Sequence, residues 1–453
     1  MAISDRRVAA AILFALAIVS PVRALEAAEP PPTQSPGPEG RRPLPDYDGR
    51  PDPPADAGEV LLWVPRVVVL PMYLLSEYVI RRPWGWTIRK FQDMREDAAP
   101  NDSFGIIPAF SLETDMRPSL GLMATWRRVG SRDNDLRFHV GFGGVDWLRA
   151  LGALRVRLDR DATVRMRVEA SRRPDQVYYG LGPDAPDELQ SRYGADTLQG
   201  SFQFSGMVWP HLYLDAAAGI RGERFDAPEC CDEPSVQESV LAGELERPPG
   251  FDGGTTWRQS LALGLDTRRK RGARETGLAL DVDGTHVVDV EALGERDARW
   301  IIWGGSASGE VDVTGTERML GLDVAVRFAD PLGGGDVTFT DLPTLGGDES
   351  MRGFLPGRLR DRSAAVATLG WRYPLWPLLE AHFEVACGSV WGEHLDGFSG
   401  DDLRLSFGGG LRTDVPDNED WLLELLVAGG TERFADGASP ESLHIVFALT
   451  PRF

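Results

Sequence analysis

From residue 104 to the carboxyl terminus, apolar side chains recur at every second position, in block after block separated by short polar or glycine-rich stretches. Leu120, Leu122, Ala124 and Trp126 alternate with Gly121, Met123, Thr125 and Arg127; Val164, Met166, Val168 and Ala170 alternate with Arg165, Arg167, Glu169 and Ser171. A period of two places successive side chains on opposite faces of a strand. One face is therefore apolar while the other carries charge. A soluble β-sandwich also alternates, but arginines at consecutive positions of one face call for water there. The apolar face also repeats over many consecutive hairpins. Lipid outside and a hydrated lumen inside satisfy both faces.

Candidate strands fall near 104–113, 118–128, 135–145, 149–160, 162–172, 192–208, 210–224, 255–268, 273–287, 300–313, 316–329, 362–373, 380–391, 402–414, 420–430 and 442–453. That is about sixteen, and an even number is what a single-chain bacterial barrel uses. In the last block Leu443, Ile445, Phe447 and Leu449 oppose His444, Thr450 and Arg452, and the chain ends on Phe453, an aromatic that reads as a C-terminal barrel signal. Trp126, Trp147, Trp209, Trp257, Trp300, Trp371 and Trp391 lie near block ends, where interfacial aromatic girdles are expected. The expected fold is all-β: a transmembrane antiparallel β-barrel of about sixteen strands over residues 101–453, preceded by a short amphipathic helical segment.

Composition is compatible with that reading. A hydrophobic content of 42% and a mean hydropathy of −0.22 exclude a bundle of apolar helices, but not a barrel in which only alternate residues meet lipid. The formal net charge of −21 argues against nucleic acid as a partner, because phosphate neutralisation needs an excess of Lys and Arg. Arg6 and Arg7 precede the apolar run Val8 to Val19, with small residues around Ala24 to Ala28; residues 1–28 read as a secretory signal peptide. Ten prolines between Pro30 and Pro54 mark residues 29–57 as a periplasmic linker. Within 58–100, Val60 to Ile80 reads as an amphipathic helix kinked at Pro65 and Pro71, lying at the interface or against a barrel mouth.

The six histidines are scattered and none lies near a cysteine pair, so no metal or cofactor site is expected. No serine, histidine and acid group into a nucleophilic set, so no enzyme is expected. Cys230 and Cys231 are adjacent in an acidic, proline-containing loop and read as two loop thiols, with a vicinal disulfide as the alternative.

The longest connection between strands runs from about Ala329 to Arg362 and contains Gly346, Gly347 and the run Met351-Arg352-Gly353-Phe354. A loop of that length needs a reason. The run resembles the loop motif of the BamA/TamA superfamily of insertion and translocation barrels, the bacterial surface antigens. Tyr178-Tyr179-Gly180-Leu181-Gly182-Pro183-Asp184 is similar to a glycine-rich segment of some members, and Phe104 to Gly121 to the family's first hairpin. In that family the loop follows the eleventh of sixteen strands, which is where the strand count places it here.

The resemblance implies that the loop folds into the lumen and that its arginine, here Arg352, pairs with acids on the next two strands. Those positions are Gly370 and Ala386 in this chain, so both acids are missing. Glu384 shares a strand face with Ala386 and is the substitute partner expected for Arg352; water or a second lumen arginine such as Arg372 is the alternative for it. The family's periplasmic POTRA modules have no counterpart in the linker and helix that precede the barrel. The resemblance also implies a weak seam between first and last strands, to which Pro108 and Pro451 would contribute by removing ladder donors. The expected function is insertion or translocation of proteins in the outer membrane, with outer-membrane lipid, the assembly machinery and nascent outer-membrane proteins as partners. A passive channel or structural barrel is the alternative.

Overall fold

The computed structural model describes residues 103–451, apart from 131–133, 160, 229, 272–273, 291–297, 314–317, 349, 377–378 and 416–417. The expected signal peptide, linker and helical segment, and Phe453, lie outside the described residues. Sixteen strands form the barrel: β1 (Ser103–Glu113), β2 (Ser119–Arg127), β3 (Asp135–Gly144), β4 (Trp147–Asp159), β5 (Ala162–Tyr178), β6 (Ser191–Trp209), β7 (Leu212–Asp226) and β8 (Gly254–Asp266) make the first half. The second half is β9 (Arg274–Asp289), β10 (Arg299–Asp312), β11 (Met319–Pro331), β12 (Ser363–Trp376), β13 (Leu379–Trp391), β14 (Arg404–Val415), β15 (Asn418–Thr431) and β16 (Pro440–Pro451). Each strand pairs antiparallel with its sequence neighbours, and β1 closes on β16. No helix among the described residues is long and apolar enough to cross a membrane.

The alternation read from the sequence sorts the two faces. Leu120, Val140, Phe202, Leu263, Phe383, Val427 and Leu443 all stand exposed on the outer surface, a continuous apolar belt that suits acyl chains and would be an aggregation hazard in water. Their neighbours point into the lumen and pair across adjacent strands: Arg149 and Arg167 share Glu169 at 2.8 and 2.6 Å, and Arg412 holds Glu380 at 3.0 Å.

The two ends of the barrel differ. The end that carries the start of β1 and the end of β16 has tight connections such as Pro210-His211; the other end carries connections 179–190, 227–253 and 332–362. Short turns mark the periplasmic side of such barrels and long loops the outer side. The long connections pack as a dome. Tyr178, Tyr193, Val236, Leu245, Phe251, Trp300, Phe339 and Leu342 form one buried cluster in it. Helix α1 (Val236–Ala242) starts with a capping box, Ser235 accepting from Glu238 N while Glu238 accepts from Ser235 N, and stops at Gly243 in the left-handed region.

Two expectations change here. Cys230 and Cys231 are joined as a vicinal disulfide rather than left as thiols. The aromatic girdle is partial: Trp126, Trp209, Trp257 and Trp371 face outward, whereas Trp147, Trp300 and Trp391 are buried. Trp300 shows why, since its indole N–H donates to Asp341 of the dome at 2.9 Å. An indole with a polar partner and loops to cover it gains more inside than at the interface.

Candidate functional site

Connection 332–362 turns back on itself. A short ladder, Thr344–Leu345 against Leu359–Arg360, closes its base. Above it Gly346 and Gly347 take φ of 111° and 85°, a left-handed conformation that suits glycine, and Gly347 N donates to Phe354 O at 2.8 Å. Phe354 N in turn reaches Met351 O at 3.0 Å. The resulting tight turn pushes Arg352 and Gly353 against the inner wall.

Arg352 meets that wall with both ends of its fork: Nη1 donates to Glu424 Oε1 at 2.9 Å and Nη2 to Glu424 Oε2 at 2.8 Å. Both side chains are largely enclosed, at 14% and 13% exposure. Gly353 N donates to Ser406 Oγ on β14 at 2.8 Å, and Gly353 O accepts from Ser442 Oγ on β16 at 2.7 Å. No side chain fits at Gly353, because a Cβ there would collide with the backbone of Gly429 and Gly430 on β15. Phe354 lies over Gly430 and packs with Leu345, Met351, Leu359, Ala364, Ala386 and Val390. Glycines in the wall and a glycine in the loop let two backbones touch.

The same turn reaches the closure of the barrel. Arg352 O accepts from His444 Nδ1 at 2.7 Å, and His444 Nε2 lies 3.1 Å from Glu113 Oε1 at the end of β1. His444 therefore bridges the loop, the last strand and the first. That closure is short: Phe110, Ser111, Leu112 and Glu113 face Leu449, Ala448, Phe447 and Val446. Extended by two residues, this register sets Pro108 opposite Pro451, two residues without an N–H, and no pair below Phe110 is formed among the described residues. By contrast β16 pairs with β15 over its length, from Pro440 to Pro451.

A second clamp holds the upper end of β16. Glu441 accepts from Arg358 of the loop and from Arg404 of β14, and all three side chains are almost fully buried. Arg358 also stacks 4.5 Å over the Tyr179 ring and donates to Ala185 O at 3.0 Å, and Gly182 N donates to Arg360 O at 3.0 Å. The glycine-rich stretch after β5 is thus a brace for the loop.

Of the residues singled out from sequence, Arg352, Gly353 and Phe354 sit together on the wall. Glu384 is not the partner of Arg352. It lies on β13 near enough to act on the arginine's charge, with no hydrogen bond between them among the described residues, while Glu424 takes both terminal guanidinium nitrogens. Arg372, the other arginine considered for Glu384, pairs with Glu310. Ala386, where the resemblance calls for an acid, lies under the Phe354 cluster instead. Glu424 had a signal of its own: it is the one charge in the apolar run Leu422 to Ala428. One further group of potential ligands occurs among the described residues, Asp330, Glu393 and His394 at the outer rim, but Arg362 already bonds Glu393 at 3.2 Å and lies 3.5 Å from Asp330.

No family model matches the chain, and no curated protein does. Solved structures do. BamA from Haemophilus ducreyi lacking POTRA domains 1–3 superposes with a TM-score of 0.54 at 14% identity, over 77% of this chain and 70% of that one. CdiB from Escherichia coli superposes with a TM-score of 0.50 at 12% identity, over 76% of this chain and 62% of that one. This chain therefore spans less than two thirds of the CdiB chain's length. At these identities the likeness is one of fold, and the chain is an outer-membrane-type β-barrel of sixteen strands.

Proposed function

We propose that this protein is an outer-membrane barrel that inserts or translocates polypeptides through its own seam, in the manner its resemblance to the BamA/TamA barrels implies. Nascent outer-membrane proteins are the clients in this reading, received from a separate periplasmic partner. It involves no catalysis. One observation carries it: the lumen loop is bonded to both sides of a short closure, four paired residues continued by Thr114 against Ile445, through Ser442 and His444 on β16 and, beyond His444, Glu113 on β1. A passive pore has no need to tie its plug to its weakest ladder. Among the described residues the edge of β1 below Phe110 has no strand partner on the closure side, and such an edge offers donors and acceptors to an incoming strand, the arrangement of β-augmentation.

Locking the seam tests this. Ser111 and Ala448 face each other across it, at the spacing of antiparallel partners, so Ser111→Cys with Ala448→Cys forms a disulfide under oxidation. In liposomes, the reduced barrel is expected to accelerate folding of a small unfolded outer-membrane protein, and the oxidised barrel is not. Equal acceleration in both states would overturn the seam mechanism. No acceleration in either, together with a steady open conductance, would make the protein a passive channel.

A further inference from the structure

The inner wall of β3, β4 and β5 near the periplasmic mouth holds a recess that neither loop nor seam uses. It is lined by Arg137, Arg155, Arg165 and Arg167, with Asp135 as its acid and Leu151 and Ala153 as its floor. Strand register stacks these groups: Asp135 faces Arg155 and Arg155 faces Arg165, while Arg137 faces Ala153 and Ala153 faces Arg167. The small residue between two arginines leaves space in the middle of the cluster.

The acids nearby carry other bonds, although the charge of Asp215 also acts on Arg165. Asp135 bonds Arg155; Glu169, one layer deeper, accepts from Arg149 at 2.8 Å, Arg167 at 2.6 Å and Gln199 at 2.9 Å; Asp215 accepts from Ser205. Arg165 stands among Arg137, Arg155 and Arg167 and makes no hydrogen bond or ion pair among the described residues. The Nε of Arg167 is buried with no partner there either. Like charges gathered around a gap repel unless an anion sits between them, and a guanidinium fork matches the paired oxygens of an oxyanion.

We infer that this recess binds an oxyanion, the phosphate group of a solute reaching the lumen from the periplasm. Arg165 faces the anion directly, and Arg137, Arg155 and Arg167, each with other contacts of its own, frame it. The site stands on the β3–β5 wall and does not depend on how the seam works.

Equilibrium dialysis of inorganic phosphate against the full chain in detergent micelles at low ionic strength tests it. Saturable binding is expected, weakened at least tenfold in Arg165→Gln with Arg137→Gln, weakened less in Arg165→Lys, and unchanged in Arg327→Gln on β11. Unboiled gel migration reports that each variant is folded. Without phosphate, Arg165→Gln is expected to unfold at higher urea than the parent, because a like charge has gone. Absence of saturable binding, binding equal in the double variant and the parent, or displacement by chloride as readily as by unlabelled phosphate would each overturn the assignment.

Discussion

The ion pair of Arg352 with Glu424 is the contact most directly open to measurement. Breaking a fully buried pair by removing one partner costs roughly 3–5 kcal/mol, whereas an exposed pair contributes about 0–1. At 14% and 13% exposure, with both terminal nitrogens bonded at 2.9 and 2.8 Å, this one stands near the buried limit. Two features reduce the cost. The lumen is hydrated, and His382 Nε2 lies 3.2 Å from Glu424 Oε1, so the carboxylate left behind is not without a neighbour. Arg352→Ala is therefore expected to destabilise the barrel by about 2–3 kcal/mol, a factor of roughly 30–150 in the folding equilibrium. Urea unfolding of the full chain in detergent micelles, followed by tryptophan fluorescence and by the migration of unboiled samples, reads that loss. A double-mutant cycle then assigns the partner: coupling of about 2 kcal/mol to Glu424 and below about 0.5 to Glu384. The charge swap is the sharper form. Arg352→Glu is rescued by Glu424→Arg and not by Glu384→Arg; the reverse result would refute the geometry described for the loop.

Two further outcomes follow from the packing. Gly353→Ala places a methyl against the backbone of Gly429 and Gly430, which cannot swing aside, so the turn must lift and lose its bonds to Ser406 and Ser442; a cost of about 2–4 kcal/mol is expected, with trypsin then cutting at Arg352 or Arg358 where the parent resists. In the dome, the hydrogen bonds from Arg192, at 3.0 and 3.2 Å, hold the Glu233 carboxyl below its ordinary range despite partial burial. A depressed folded-state pKa means that this stabilisation is complete at neutral pH and is lost as pH falls through the folded value. Glu233→Gln is expected to cost about 1 kcal/mol at pH 7 and to flatten the acid limb of the stability curve; an unchanged limb would mean that the pair contributes nothing.

Much of this architecture was legible in the chain. Alternation assigns each residue to lipid or lumen, because a strand has only two faces, and every one of the sixteen strands falls where the period placed it, with the long connection after the eleventh. The glycines of the loop were equally readable, since Gly346, Gly347 and Gly353 stand where left-handed backbone or close contact excludes a side chain. The Trp147, Trp300 and Trp391 positions misled because proximity to a strand end does not reveal which loops will cover it.

What alternation cannot supply is a position around the barrel. Glu384 and Glu424 both point into the lumen by their period, and the sequence points to Glu384 because it shares a strand face with Ala386, where the resemblance calls for an acid. The choice depends on where a thirty-residue connection lands after crossing the lumen, and wall glycines at 429 and 430, together with Ser406 and Ser442, draw it to the far side of β14. Glu113 and His444 meet for the same reason: closing the sheet joins residues from opposite ends of the chain, and the stagger of that closure is a property of the whole cylinder. Local pattern thus determined which face each side chain takes, and only the closed barrel determined which of those side chains become neighbours.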